Sequence, residues 1–164
     1  MSDSTQEDEF FKMVKHHQGI FNKVLGLYTM NAEDRKDLQQ EMLLQCWKSF
    51  GSYKAQSKIS TWLYRVCLNT ALNYHKKTKK HKYTDINLAS DRIANNKSKS
   101  EYEDLYKAII QLNEVDRMII SLYLDGYKNK EISGITGMNE NKLNVKIHRI
   151  KQKLAQHLKS ENNG

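Results

Sequence analysis

The chain has 164 residues, no proline, seven glycines and a formal charge of +8. Its length admits one domain or two small helical ones, and the scarcity of helix breakers beside abundant Leu, Lys, Gln and Glu favours an all-α fold over strands. No apolar run approaches the roughly 18 residues that span a bilayer and the amino terminus is acidic, so a cytoplasmic protein whose partner is a polyanion is expected, with no stable membrane insertion.

Phe10, Val14, Phe21, Leu25 and Tyr28 recur at spacings of four, seven, four and three, the stripe of one long first helix. A second helix opens near Glu33-Asp34, where carboxylates meet unpaired amide hydrogens, and carries Leu38, Met42, Leu43, Cys46, Trp47 and Phe50 before Gly51-Ser52 ends it. The third starts between Ser57 and Ser60 and passes through Ile59, Trp62, Leu63, Val66, Cys67, Thr70 and Ala71 into a lysine run. All eight acids of residues 1–84 lie at or before Glu41, whereas residues 42–84 hold nine Lys and Arg and no acid. A solvated helix face usually mixes both signs, so this run predicts a surface facing phosphates. Aromatics interleave with bases there: Tyr53, Lys54, Lys58, Trp62, Tyr64, Arg65, Tyr74 and Lys76. Flat π faces beside cations can hold the unstacked bases of a single strand. Trp62 also lies on the apolar stripe, and a place in the core suits it equally.

Residues 85–104 carry a net −2 between blocks of +6 and +4, and are rich in Asp, Asn and Ser with few large apolar side chains. This composition predicts a linker. Beyond it, Ser100 and Glu103 fit a capping box, and Leu105, Ile109 and Leu112 mark a helix face. Asn113 and Asp116 open another helix, stopped at Asp125-Gly126. A short helix over 128–135, a turn at Gly137-Met138-Asn139 and a long helix from Glu140 to about Lys159 then predict a helix-turn-helix. Leu143, Ile147, Ile150, Leu154 and Leu158 fasten the last helix inward. Asn141, Lys142, Asn144, Val145, Lys146, His148, Arg149 and Lys153 form its free face, suited to the major groove.

Cys46 and Cys67 sit inside helical patterns without a paired Cys or His at ligand spacing, so buried, inert thiols are expected and no metal or cofactor. Residues 42–84 contain no carboxylate cluster to hold a catalytic metal, which disfavours a nuclease and points to a protein that is not an enzyme. A free-standing helix-turn-helix regulator would leave the amino-terminal motifs without a role.

Together these halves resemble the sigma-70 family of bacterial RNA polymerase factors, in its extracytoplasmic-function branch. Residues 34–50 are similar to the family's polymerase-docking helix, residues 60–74 to the segment that opens and reads the −10 element, and residues 126–149 to the −35 reader. The resemblance implies two small helical domains joined by a flexible linker: residues 1–84 for core RNA polymerase and the −10 element, 85–104 as linker, and 105–164, the helix-turn-helix domain, for the −35 duplex. It assigns Asp34, Leu38, Gln39, Glu41 and Trp47 to docking, Leu38 and Trp47 having a core role as the alternative. It assigns Tyr53, Lys54, Trp62, Arg65, Asn69 and Asn73 to the −10 strand, and Lys142, Asn144, Val145, Lys146, His148 and Arg149 to the −35 duplex. Core RNA polymerase, promoter DNA and an anti-sigma factor are the implied partners. The chain departs from the family pattern with Asn113 for a usual proline, Ser133 for a usual alanine, and Lys142-Leu143-Asn144 for a Thr-Val-Lys type sequence.

Overall fold

The computed structural model describes residues 3–79 and 100–163; all the regular structure among them is α-helical. The described residues fall into two compact units, one within Met1–Lys80 and the other within His81–Gly164. Among the described residues no helix is long and apolar enough to cross a membrane.

The first unit contains α1 (Asp3–His16), α2 (Gln18–Tyr28), α3 (Ala32–Phe50) and α4 (Ile59–Lys79). Where the spacing predicts one long first helix, the structure has two. The chain turns at His17 (φ −107°, ψ 25°), whose N–H still donates to the Met13 carbonyl while its own carbonyl accepts from Ile20. Gly19, two residues on, is a weak helix former that lowers the cost of a break there. The break lets Phe10 and Phe21, both buried, face different neighbours. Phe10 packs edge-on to Trp47 and Phe50 of α3, with ring centroids 5.1 and 5.4 Å away, while α2 packs on α3 and α4. Val14, expected on the stripe, is only half-buried.

Helices α3 and α4 form an antiparallel hairpin around the loop 51–58. Leu38, Met42 and Cys46, each four residues apart, present one fully buried row against Leu63, Cys67 and Ala71 of α4. Cys46 and Cys67 meet inside this interface, and hydrogen bonding to Cys46, followed by burial, pushes the Cys67 thiol well above its ordinary range. A thiol held protonated in this way is a packing group rather than a nucleophile.

The second unit contains α5 (Ser100–Ile110), α6 (Glu114–Leu124), α7 (Asn129–Thr136) and α8 (Glu140–Asn162). Residues 100–104, read from sequence as the end of the linker, are the first turns of α5; the remainder of that stretch, 85–99, lies outside the described residues. Met118, Ile119, Ile120 and Leu122 of α6, Ile132 and Ile135 of α7, and Leu143, Ile147, Ile150 and Leu154 of α8 close one core with Ala108, Ile109 and Leu112.

The helix-turn-helix is formed by α7, the turn 137–139 and α8. Gly137 caps α7 in the left-handed region (φ 74°) and donates its N–H to the Ser133 carbonyl at 2.8 Å. The Ser133 hydroxyl donates to the Met138 carbonyl at 2.5 Å, so the serine that replaces a usual alanine closes the turn. Asn139 then caps α8, its side chain accepting from the Asn141 N–H at 2.8 Å.

A Cβ at position 137 would meet nothing within 4 Å, so only the backbone conformation resists substitution. Gly137→Ala is therefore expected to lose about 1 kcal/mol in urea unfolding. Gly137→Asn should lose less, because an asparagine tolerates the left-handed region.

Candidate nucleic-acid interface

The loop between α3 and α4 creates a pocket by folding back on itself. Tyr53 donates its N–H to the Phe50 carbonyl at 3.2 Å and its hydroxyl to the Ser57 carbonyl at 2.6 Å, which fixes the residue at its backbone and at the tip of its ring. Ala55, between these anchors, adopts φ +55°, a conformation that non-glycine residues rarely take. Tyr53 and Trp62 lie 5.3 Å apart at 44°, and Phe50 backs Trp62 at 6.4 Å. Ser52, Lys54, Gln56, Ser57 and Arg65 complete an open pocket of about 340 Å³ with these two rings. Trp62 is half-buried, in contact with Phe50 and lining the pocket. Lys54 and Arg65 are exposed beside it.

Two other aromatics in the interleaved series lie outside this pocket. Tyr64 is buried in the hairpin core. Tyr74 points its hydroxyl at Asp34 Oδ1, 3.4 Å away. Burial, with the charges of Asp34, Asp37 and Glu33, pushes the Tyr74 phenol up to about 12.

Asn69 and Asn73 are exposed on α4, yet they do not join the Tyr53–Trp62 pocket. They line a separate groove of about 520 Å³ between α3 and α4, with Asp37, Glu41 and Gln45 on the opposite wall and Lys77 at one end. Gln45 donates to Glu41 Oε1 at 2.9 Å across one helical turn. Residues that the sequence separates into a docking set and a −10 set thus share one groove.

Of the docking set, Leu38 is fully buried and has no surface to offer a partner, so the core alternative is the one realised. Asp34 is engaged at the helix cap: Asn31, the N-cap of α3, accepts from the Asp34 N–H and donates to Asp34 Oδ2, both at 2.8 Å. Gln39 is exposed. Trp47 is 41% exposed despite its contact with Phe10, and Leu44, one turn earlier, is 45% exposed. The sequence pattern puts Leu43 on the apolar stripe and does not single out Leu44; its signal is the i, i+3 spacing to Trp47 on the face away from Leu38, Met42 and Cys46.

On α8, Asn141, Lys142, Val145 and Arg149 border a shallow depression of about 410 Å³ with Lys146. Val145 is 52% exposed at its centre, and His148 is also exposed. Asn144 is exposed but accepts a hydrogen bond from the Asn129 amide of α7. Lys146 is half-buried and paired with Asp116 of α6 at 3.0 Å.

The chain therefore carries two basic, DNA-suited surfaces on two separate helical units, an aromatic pocket on one and a helix-turn-helix on the other. The description Sigma-70 region 2 matches residues 13–81, and Sigma-70, region 4 matches residues 102–154. Among curated relatives, RNA polymerase sigma factor SigV of Bacillus subtilis is 25% identical over 137 residues, 83% of this chain and 82% of that protein. The ECF RNA polymerase sigma factor SigM of Mycobacterium tuberculosis is 23% identical over 161 residues, 96% of this chain and 79% of that protein. Two solved structures share the fold. The sigma factor RpoE in complex with the anti-sigma factor NepR from Bartonella quintana has a TM-score of 0.70 at 19% identity, covering 93% of this chain and 96% of that one. CnrH in complex with the cytosolic domain of CnrY has a TM-score of 0.67 at 16% identity, covering 94% and 90%. The chain belongs to the sigma-70 family, in its extracytoplasmic-function (ECF) branch.

Tyr74 keeps its proton more tightly folded than unfolded. The stability it contributes is intact below the ordinary phenol value of 10 and is lost as pH rises toward about 12. Absorbance titration at 295 nm should show a tyrosine ionising near 12 that Asp34→Asn lowers only in part, because burial is the larger cause.

Proposed function

We propose that this protein is a sigma factor that acts in the bacterial cytoplasm, without catalytic activity of its own, by docking on core RNA polymerase, gripping the −35 duplex with α8 and holding the opened −10 strand at the Tyr53–Trp62 pocket. The observation that carries this reading is the pairing of that pocket with a helix-turn-helix, within a chain whose two halves match sigma-70 regions 2 and 4. Neither feature alone distinguishes a sigma factor from a regulator that binds duplex DNA unaided.

Strand opening is a matter of differential binding. Unstacking a base costs a few kcal/mol, and capture of the exposed base offsets it only if a flat surface and cations are already in place. Tyr53 is pre-positioned by its two hydrogen bonds, Trp62 by Phe50, and Lys54 and Arg65 stand where the backbone phosphates of the captured strand would run. Asn69 and Asn73 stand farther along α4, in the separate groove that they share with Glu41, and offer their amides to the −10 strand from there. The docking contact itself falls to Gln39, Glu41 and Trp47, joined by Leu44, with Asp34 and Leu38 shaping the helix that presents them.

In the second unit, Lys142, Val145, His148 and Arg149 offer the outward face of α8, and Asn144 is set in place from α7. The boundaries 1–84, 85–104 and 105–164 then divide labour among docking and melting, connection, and duplex anchoring. An anti-sigma factor is the further partner we assign to this chain. RpoE and CnrH were both solved in complexes, RpoE with an anti-sigma factor, and exposed apolar residues such as Leu44 and Trp47 suit a protein-covered surface.

Transcription in vitro with bacterial core polymerase and a random promoter library tests the reading. A defined promoter should be selected in a sigma-dependent manner, and absence of any promoter-dependent transcript would overturn the proposal. On the selected promoter, Trp62→Ala should lower open-complex formation about tenfold, a loss within the ~1–3 kcal/mol of one base–aromatic stack. The deficit should shrink on a template whose −10 region is already unpaired.

A further inference from the structure

Lys146 lies on the basic face of α8, where sequence spacing makes it a phosphate ligand. Its ammonium is instead 3.0 Å from Oδ1 of Asp116, whose side chain is only 5% exposed while that of Lys146 is 34% exposed. The second carboxylate oxygen of Asp116 accepts from the Asn113 amide at 2.9 Å, and Asn113 accepts the Asp116 N–H at 3.0 Å as the cap of α6. One carboxylate is thus fastened to its own helix terminus on one side and to α8 on the other. For Lys146 to reach a phosphate it would have to leave the buried Asp116 carboxylate without its cation, and that cost opposes its release to the duplex.

The consequence for recognition is geometric. Lys146 is on the same face of α8, within two turns, as Lys142, Val145 and Arg149, which surround the exposed depression there. Fixing Lys146 against α6 fixes the rotation of α8 about its own axis, and with it the direction in which those side chains leave the helix. We propose that the Asp116–Lys146 pair is a positioning clasp for the −35 reader: Lys146 sets the angle at which α8 presents Asn141, Lys142, Val145 and Arg149 to the duplex and is not itself a phosphate ligand. This rests on the reading of the second unit as the −35 reader.

The test uses the full chain assembled with core polymerase and a promoter selected by the unaltered protein, with affinity measured across a salt series. Each phosphate ligand contributes close to one unit to the slope of log K against log salt. Lys146→Met and Asp116→Asn should each weaken binding about tenfold without changing that slope. The double variant should be no weaker than either single one, and discrimination among single-base −35 substitutions should fall at several positions together. Lys146→Arg should restore both affinity and discrimination. A slope reduced by about one unit in Lys146→Met, or tighter binding by Asp116→Asn as a freed lysine reaches the duplex, would overturn the inference.

Should the single variants fail to fold, Asp116→Leu combined with Lys146→Met replaces the pair by apolar side chains and keeps the measurement possible. An unchanged slope in that variant supports the clasp, and a slope reduced by one unit overturns it. If the unaltered holoenzyme shows no −35 preference, the reading of the second unit fails with it; the slope outcome with normal −35 preference defeats the clasp alone.

Discussion

A carboxylate three residues into a helix can accept from the side chain of the capping residue and still have an oxygen left for another element, and this chain uses that geometry in both units. Asn31 and Asp34 cap α3, and Asp34 reaches Tyr74 on α4. Asn113 and Asp116 cap α6, and Asp116 reaches Lys146 on α8. In each case the helix that carries the nucleic-acid surface is tied at one point to the start of a neighbouring helix. Apolar stripes are non-directional and tolerate small rotations of one helix on another. A hydrogen-bonded or ionic tie at a fixed position does not, and it converts a packed pair of helices into a registered one.

Registration matters because each unit is small. A domain of this size buries a modest share of its surface, so its core supplies little beyond what the loss of chain entropy consumes. In the first unit the Leu38–Met42–Cys46 row against Leu63, Cys67 and Ala71 provides the core. The polar ties sit at its end, where the apolar contacts thin out. In the second, the turn is closed by local chemistry: Gly137 supplies the left-handed residue, Ser133 binds the Met138 carbonyl and Asn139 starts α8. Asn113, where a proline is usual, provides a side-chain cap and thereby the second of the two ties.

The all-helical fold and the helix-turn-helix were legible in the sequence because both depend on local signals. Asn139 and Gly137 act only on their own turn, and the spacing of Leu143, Ile147, Ile150 and Leu154 is a property of one helix. The split at His17 was not legible, since Phe10 and Phe21 fit one helical stripe and only the separate destinations of their rings reveal two helices. The site was legible in part for the same reason. Lys54, Arg65, Asn69 and Asn73 are exposed as their positions on the polar side of α4 and its preceding loop imply. The burial of Tyr64, and the partners that Tyr74 and Lys146 find 40 and 30 residues away, could not be read in advance, because they are tertiary facts that spacing does not encode. Leu44 stayed hidden for the opposite reason: an apolar side chain beside an apolar stripe is assumed to belong to it.

The separation of charge within the first unit has a consequence for how it meets DNA. Glu33, Asp34, Asp37 and Glu41 occupy the first half of α3, whereas the loop and α4 carry Lys54, Lys58, Arg65, Lys76 and Lys77 without a single acid. The hairpin brings Lys77, near the far end of α4, back beside Asp37 and Glu41, so the basic stretch farthest from the acids of α3 is the loop and the start of α4. A polyanion attracts that stretch and repels the acidic start of α3, and salt that shortens the range of the field weakens both effects.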